Sequence, residues 1–423
     1  MARMKQRAVV AMGGGPTRVI NRTLYGILAE CGRHGIEVLA ARHGIDGVLR
    51  ADLLTLKAGS ALIRKSRHLP GACIGSTRTR PKPEDCDKAL QVFADNKVGI
   101  FFYVGGNDTA EASGLIHEAA QRRGYDLRVF HVPKTIDNDL VENDHCPGYG
   151  SAARYVAHAI LGDDLDVRSI PGAKVDVIMG RDAGWLAASA SLCRTSEEDG
   201  PHLIFFPERP KTLAEIMNSI IEVYRKYGRA VVAVAEGLRG TDNELFLNSP
   251  ALRKEIESGP FQPIAGYLRA MEEAEKATGG AKLDQFGHAQ LSGTGALADF
   301  LAAAVKVAFK VNGIKGGRVR ADTFGYPQRS YAGDVSPSDA AEAEMVGREA
   351  VRLAAQGAKS TSIALRAERN GGQYRAFAQA VPLSLVAGRV RPLADEYINP
   401  AGNFVSQAFY DYARPLVGKL MRQ

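Results

Sequence analysis

The sequence predicts an α/β protein of two doubly wound domains with parallel sheets. Short apolar runs alternate with helical patterns, a chain of 423 residues suits two domains, and 45% hydrophobic residues suffice for two ordinary cores. The runs are residues 8–12 (AVVAM), 36–41 (IEVLAA), 98–104 (VGIFFYV), 127–132 (LRVFHV), 175–179 (VDVIM), 202–206 (HLIFF) and 230–235 (AVVAVA). Each is short enough for a strand and nearly continuous in apolar residues, as strands covered on both faces must be. Between the first two, Val19, Ile20, Thr23, Leu24, Ile27, Leu28 and Cys31 follow the i, i+3, i+4 spacing of a helix. The same alternation resumes after Gly106, Gly150, Gly184 and Pro210. The segment 148–151 (GYGS) reads as a crossing between domains. The stretch 240–295 reads as a surface excursion from the second domain, with a charged helix around 269–276.

Composition excludes several classes. Glycine supplies 45 residues without a three-residue period, which excludes collagen and directs attention to glycine-built loops. The five cysteines (Cys31, Cys73, Cys86, Cys146, Cys193) are odd in number and form no C-x-x-C pair, against a disulfide framework or a structural zinc. A reducing, cytoplasmic setting is expected. The apolar run at 8–12 is too short for a signal sequence. The longest one, 297–309, is broken by Asp299 and Lys306 and falls short of the ~20 residues of a membrane span. A soluble protein without a membrane partner is therefore expected. The formal charge of +7 comes from 54 basic and 47 acidic residues. Only 64–67 (RKSR) and 78–82 (RTRPK) cluster, so small phosphorylated ligands rather than nucleic acid are expected.

Four strand ends carry chemistry. In doubly wound sheets ligands bind beyond the carboxyl ends of the strands, where backbone amides and helix N-termini meet phosphate. In MGGGPTRVIN (12–21), Gly13, Gly14 and Gly15 follow a strand, and Pro16 and Thr17 are expected to open a helix. The dinucleotide fingerprint is incomplete, with Arg18 at the third glycine position, and no Walker lysine motif occurs. In VGGNDTAEAS (104–113), Asn107, Asp108 and Thr109 are all good N-caps, and capping explains one of them but not three. VPKTIDNDL (132–140) packs Lys134, Thr135, Asp137, Asn138 and Asp139 behind a strand end at Pro133. That density of acid, base and amide suits a site where a general base, a metal and a phosphate meet, whereas a solvated turn is the bland reading. In VIMGRDAGW (177–185), Arg181 follows a further glycine and can reach a phosphate with two donors.

Together these segments resemble the phosphofructokinase family. The glycine turn, G-G-x-x-[ST] at 105–109, P-x-T-I-D-N-D at 133–139, M-G-R at 179–181, Glu236 in AEGL and R-x-D-x-x-G-Y-x-Q-R at 320–329 stand in the family's order. The likeness spans about residues 7–355 apart from 240–295. It implies two Rossmann-like domains with the active site in the cleft between them. The first would comprise 1–148 plus about 324–390 and hold the phosphoryl donor. The second would comprise 149–323 plus about 391–423 and hold fructose 6-phosphate. It implies that Asp137 takes the proton of the sugar's 1-hydroxyl, with Arg181 as its catalytic companion. Thr135, Ile136, Met179, Gly180 and Glu236 would hold the sugar, and Tyr326 and Arg329 its 6-phosphate. Arg320 would reach across a subunit interface, so a homodimer or homotetramer is implied. Gly14, Gly15, Arg78, Gly106, Asp108, Thr109 and Lys134 would hold the donor, and Asn107 and Asp139 would hold Mg²⁺.

The donor depends on two residues. ATP-using relatives resemble one another in carrying G-G-D-G-[ST] and P-G-T-I-D-N-D, whereas this chain has Asp108 and Lys134 at the variable positions. The resemblance implies that an Asp108 carboxylate would lie where the α-phosphate of ATP must pass, and like charges in a desolvated pocket repel. Lys134 adds positive charge for a small, highly charged donor. Both changes imply pyrophosphate, with phosphate as product and a reversible reaction. Asn107 in place of the usual metal-binding aspartate, and Tyr326 in place of a common histidine, are departures; an amide oxygen is still an acceptable ligand for a hard cation. Rival readings are an ATP-dependent 6-phosphofructokinase and a phosphosugar sensor without chemistry, the latter disfavoured because a sensor has no use for a base.

Overall fold

The apolar runs become strands, and eleven strands cross the computed structural model, which describes residues 6–277, 294–370 and 372–421. They are β1 Arg7–Met12, β2 Glu37–Ala41, β3 Leu53–Thr55, β4 Ile100–Gly105, β5 Arg128–Pro133, β6 Gly172–Ile178, β7 Leu203–Phe205, β8 Ala230–Ala235, β9 Arg318–Thr323, β10 Thr361–Asn370 and β11 Gln373–Val381. The chain divides into two units at Ala152/Ala153, Gln328/Arg329 and Arg391/Pro392, so each unit is assembled from two stretches of sequence.

Unit 1 holds a seven-stranded sheet of order β11-β10-β5-β4-β1-β2-β3. Alternate side chains of its strands feed different cores. Val9, Ala11, Phe101 and Tyr103 pack with Leu90, Phe93 and Ile116, from helices Pro83–Asp95 and Asn107–Arg122. Val10, Met12, Phe102 and Val104 pack with Leu24 and Ile27 of helix Ile20–Arg33 and with Val346 and Ala350 of helix Pro337–Ala355. Residues i and i+2 thus serve one face and i+1 the other, which makes the sheet doubly wound. Full burial of each such aliphatic or aromatic side chain contributes roughly 1.5–3 kcal/mol. The sheet is mixed rather than all parallel. β3 runs antiparallel to β2 and β11 to β10. Only residues 371–372 separate β10 from β11, and a parallel crossover needs a dozen or more.

Unit 2 holds a four-stranded, wholly parallel sheet of order β7-β8-β6-β9. The sequence reading missed β3, β10 and β11 of the first sheet and, here, β9 (RVRADT), an edge strand that exposes Arg320 and Asp322 and lacks an apolar run. Helix Ala296–Val311 forms the centre of the core through Phe300, Leu301, Val305 and Phe309. The supposed excursion at 240–295 is largely not a surface feature. Phe246, Leu252, Ile256, Phe261, Ile264 and Leu268 lie in the same core, the last five spaced as one side of helices Pro250–Ser258 and Ala265–Ala277 and the turn between them. Charged neighbours hid that periodicity. Residues 278–293 of the stretch lie outside the described residues. After Gly184 the expected helix lasts only Trp185–Ala188 before a 3₁₀ turn. Among the described residues, no helix is long and apolar enough to cross a membrane.

Candidate active site

The end of β1 is drawn into contact with the end of β4 and with the loop at Thr77. The Gly13 amide donates to the Val104 carbonyl at 2.8 Å, and the Gly14 amide to Thr77 at 2.7 Å. Gly14 has φ +75°, a conformation that favours glycine. A Cβ on Gly105 would fall 2.0 Å from Thr109 Oγ1 and one on Gly13 2.3 Å from it, so Thr109 closes over both turns only because they lack side chains. The segment 15–19 is a non-helical bend, and the helix begins at Ile20 instead of at Pro16 and Thr17. Arg18 holds this bend by donating to the carbonyls of His68 at 2.6 Å and Asp334 at 3.1 Å. The second turn is also corrected. Gly106 is the N-cap of helix Asn107–Arg122, without a side-chain cap, so Asn107, Asp108 and Thr109 occupy its first turn and none caps it.

Lys134 lies under the glycine turn. Its ammonium is buried and donates to the Gly15 carbonyl at 2.7 Å, and its backbone amide donates to Gly105 at 3.0 Å. Burial pushes its pKa down to about 8, and the nearby cations of Arg329 and Arg78 push the same way, while Asp137 and Asp108 oppose them. The Arg329 guanidinium comes within 3.1 Å of where a Gly15 Cβ would stand. Beneath the turn, buried His131 bridges the Gly105 carbonyl at 2.9 Å and Ser362 Oγ at 2.7 Å, and burial holds its pKa near 4.

The next residues fold into a tight loop. Thr135 Oγ1 accepts from the Asp137 amide at 3.0 Å and lies 3.4 Å from Asp137 Oδ2, a local hydroxyl turn that presents the carboxylate. Asn138 is fully buried at φ +58°, where asparagine is among the few tolerated non-glycine residues, and its Oδ1 accepts from the Cys146 amide at 2.9 Å. Asn107 Nδ2 donates to Asp139 Oδ2 at 2.7 Å, which leaves Asn107 Oδ1 buried without a hydrogen-bond partner. Asp339 closes the far end by accepting from the Gly148 and Ser151 amides at 2.7 and 2.9 Å. Unit 1 therefore gathers the expected Gly14, Gly15, Arg78, Gly106, Asn107, Asp108, Thr109, Lys134, Thr135, Ile136, Asp137, Asp139 and Arg329.

Unit 2 carries the rest. Where β6 and β8 end, the Gly180 amide faces Glu236 Oε1 at 3.4 Å and the Gly237 amide donates to the Gly180 carbonyl at 3.2 Å. Gly180 has φ +136°, and the Met179 amide donates to Gln328 Oε1 at 3.2 Å. Arg181 Nε donates to Asp182 at 3.0 Å. Arg320 is exposed on edge strand β9, and Tyr326 is 52% exposed. Farther along β6, Asp163, Asp176 and Asp322 surround Lys174, whose Nζ stands 3.3 and 3.4 Å from the first two and also touches Asp322. The ammonium supplies the cation that these three carboxylates face.

Residues 7–354 match the family model described as Phosphofructokinase. The chain belongs to the phosphofructokinase family. It is 40% identical to the pyrophosphate--fructose 6-phosphate 1-phosphotransferase of Rhodospirillum rubrum, with 99% of this chain and 95% of that protein covered. It is 33% identical to the protein of the same name from Xanthomonas campestris, covering 96% and 90%. A solved pyrophosphate-dependent phosphofructokinase from Marinobacter aquaeolei is similar at TM-score 0.78 and 28% identity, covering 98% of this chain and 92% of that one. As a phosphofructokinase-family chain, this protein contains supporting residues that its motifs do not reveal. His131 touches the Gly105 turn from the neighbouring strand β5, and Asp339 and Arg391 touch the motif loops from distant elements, none with a local signature.

Proposed function

We propose that this phosphofructokinase-family enzyme transfers a phosphoryl group from pyrophosphate to the 1-hydroxyl of fructose 6-phosphate. The products are fructose 1,6-bisphosphate and phosphate. The observation that carries the donor is the buried Lys134 ammonium bonded to the glycine turn, with Asp108 in the first turn of the adjacent helix. A fixed cation with two glycine-built turns suits a compact polyanion, and the Asp108 carboxylate opposes a longer phosphate chain.

In this reading Gly15, Gly106 and Thr109 offer backbone and hydroxyl donors to pyrophosphate, Gly14 shapes the turn that admits it, and Lys134 and Arg78 neutralise it. Asp137 accepts the proton of the sugar's 1-hydroxyl as that oxygen bonds to phosphorus and the bridging P–O bond breaks, releasing phosphate. Arg181 balances charge on the phosphoryl group in flight. Thr135, Ile136, Met179, Gly180 and Glu236 hold the sugar, and Tyr326 and Arg329 its 6-phosphate. Phosphoryl transfer is mostly positioning and charge stabilisation, so these groups suffice in kind. The orphaned Asn107 Oδ1 beside Asp139 fits a hard divalent cation, taken here as Mg²⁺. When bound, that ion would neutralise phosphate charge. Because pyrophosphate and the phosphate ester are similar in transfer potential, the reaction is expected to run in both directions. We assign Arg320 to a second copy's site, which makes the enzyme at least a homodimer, and place it in the cytoplasm in keeping with five free cysteines.

The test is a steady-state comparison of donors at fixed fructose 6-phosphate and Mg²⁺. Bisphosphate should form with pyrophosphate and negligibly with ATP. Comparable kcat/KM for the two donors refutes the assignment, and turnover with ATP alone identifies an ATP-dependent kinase.

A further inference from the structure

We infer that Arg391 is the positioning residue that aims the loop bearing Asp137, an inference that rests on the function proposed above. The guanidinium lies 253 residues beyond the loop in sequence, yet it binds the loop backbone at several points. Its Nε and Nη2 donate to the Asn138 carbonyl at 3.2 and 2.7 Å, and its Nη1 donates to the carbonyls of Asn143 and Asp144 at 2.8 and 2.5 Å. The Arg391 amide donates to the Asp139 carbonyl at 2.7 Å, and Val390 bridges Leu140.

These carbonyls need such a partner. Asn138 stands between Asp137 and Asp139 at φ +58°, a conformation of small population that persists only where surrounding structure imposes it. A planar fork with five donors in fixed directions can satisfy three carbonyls at once, whereas a lysine offers a point charge on a flexible stem. These bonds all go to backbone carbonyls, so Arg391 acts on the peptides of the loop that carries the acids. Thr135 fixes the loop from one side and Arg391 from the other, and the peptide that carries the base is held between them.

The test is steady-state kinetics of Arg391→Met and Arg391→Lys, each alone and combined with Asp137→Asn, with melting temperatures in parallel. Arg391→Met should lower kcat by about tenfold or more, leaving KM for fructose 6-phosphate within about threefold, and Arg391→Lys should recover only part of that loss. In the Asp137→Asn background the loss should vanish, because no base remains to be aimed. Should Arg391→Met not fold, Arg391→Lys is read in the same two backgrounds. Wild-type kcat in the folded variant, or an equal loss in both backgrounds, overturns the inference. So does failure of both variants to fold, since the guanidinium would then be holding unit 1 as a whole. Absence of pyrophosphate-dependent turnover in the unaltered enzyme refutes the proposed function instead and is measured first.

Discussion

Burial opposes the positive charge on Lys134, and its pKa falls from 10.5 to about 8. The sign of the consequence follows. Below about pH 8 the ammonium is charged and attracts pyrophosphate, and as pH rises through that value the attraction is lost. A plot of kcat/KM for pyrophosphate should therefore fall on its alkaline side near pH 8, and the fall should disappear in Lys134→Met; an unchanged alkaline limb in that variant assigns the titration to another group. Stability moves the other way. The unfolded chain keeps this proton up to about pH 10.5, so the burden of burying the charge is relieved between the two values. Asp108 makes the complementary prediction. It is exposed in the first turn of its helix, and Asp108→Gly should raise kcat/KM for ATP by roughly ten- to a hundredfold even with Lys134 present. Kinetics with both donors decide this: no gain with ATP, and pyrophosphate activity unchanged, places donor selection elsewhere.

At the scale of elements, the strand ends present the chemistry and the helices behind them set their stability. β1, β4 and β5 run side by side, so their backbone ladders bring the turns at Gly13, Gly105 and Lys134 together. Their residues were legible because glycine, asparagine and aspartate at a strand end have few other reasons to cluster. The segment 240–277 was misread for the opposite reason. Its apolar residues are sparse and its charges dense, yet Phe246 is 2% exposed and meets the Phe300 ring edge-on at 6.3 Å. Phe246→Ala should cost about 3–5 kcal/mol, the range for emptying a buried aromatic site. Denaturant unfolding checks this, and a loss below about 1 kcal/mol would return the segment to the surface.

For the whole molecule, the proposal that Arg320 serves a second copy's site has a direct consequence. Arg320 is exposed on an edge strand and faces Lys174 in register. If each site takes its base from one chain and Arg320 from another, Arg320→Ala and Asp137→Asn should each be nearly inactive alone. Mixing and reannealing them should restore activity at about a quarter of the sites, because random pairing leaves one intact site in each mixed dimer. Mixtures no more active than their components would confine the site to a single chain.

The sequence by itself determined the alternating α/β architecture, the glycine turns, the order of the motifs and the identity of the residues at the strand ends. Each of these is written locally, in a period of hydrophobicity or in residue types that only a special backbone or a charged ligand requires. Tertiary structure decided the rest. It put Arg391 on the carbonyls around Asn138, His131 beneath Gly105 and Asp339 on the Gly148 amide, across 253, 26 and 191 residues of sequence. It also made the first sheet mixed, and it buried the sparse apolar side of 246–268. Those facts depend on which backbone groups lie opposite one another after folding. A carbonyl that accepts a hydrogen bond looks the same in every residue, so no sequence pattern marks it.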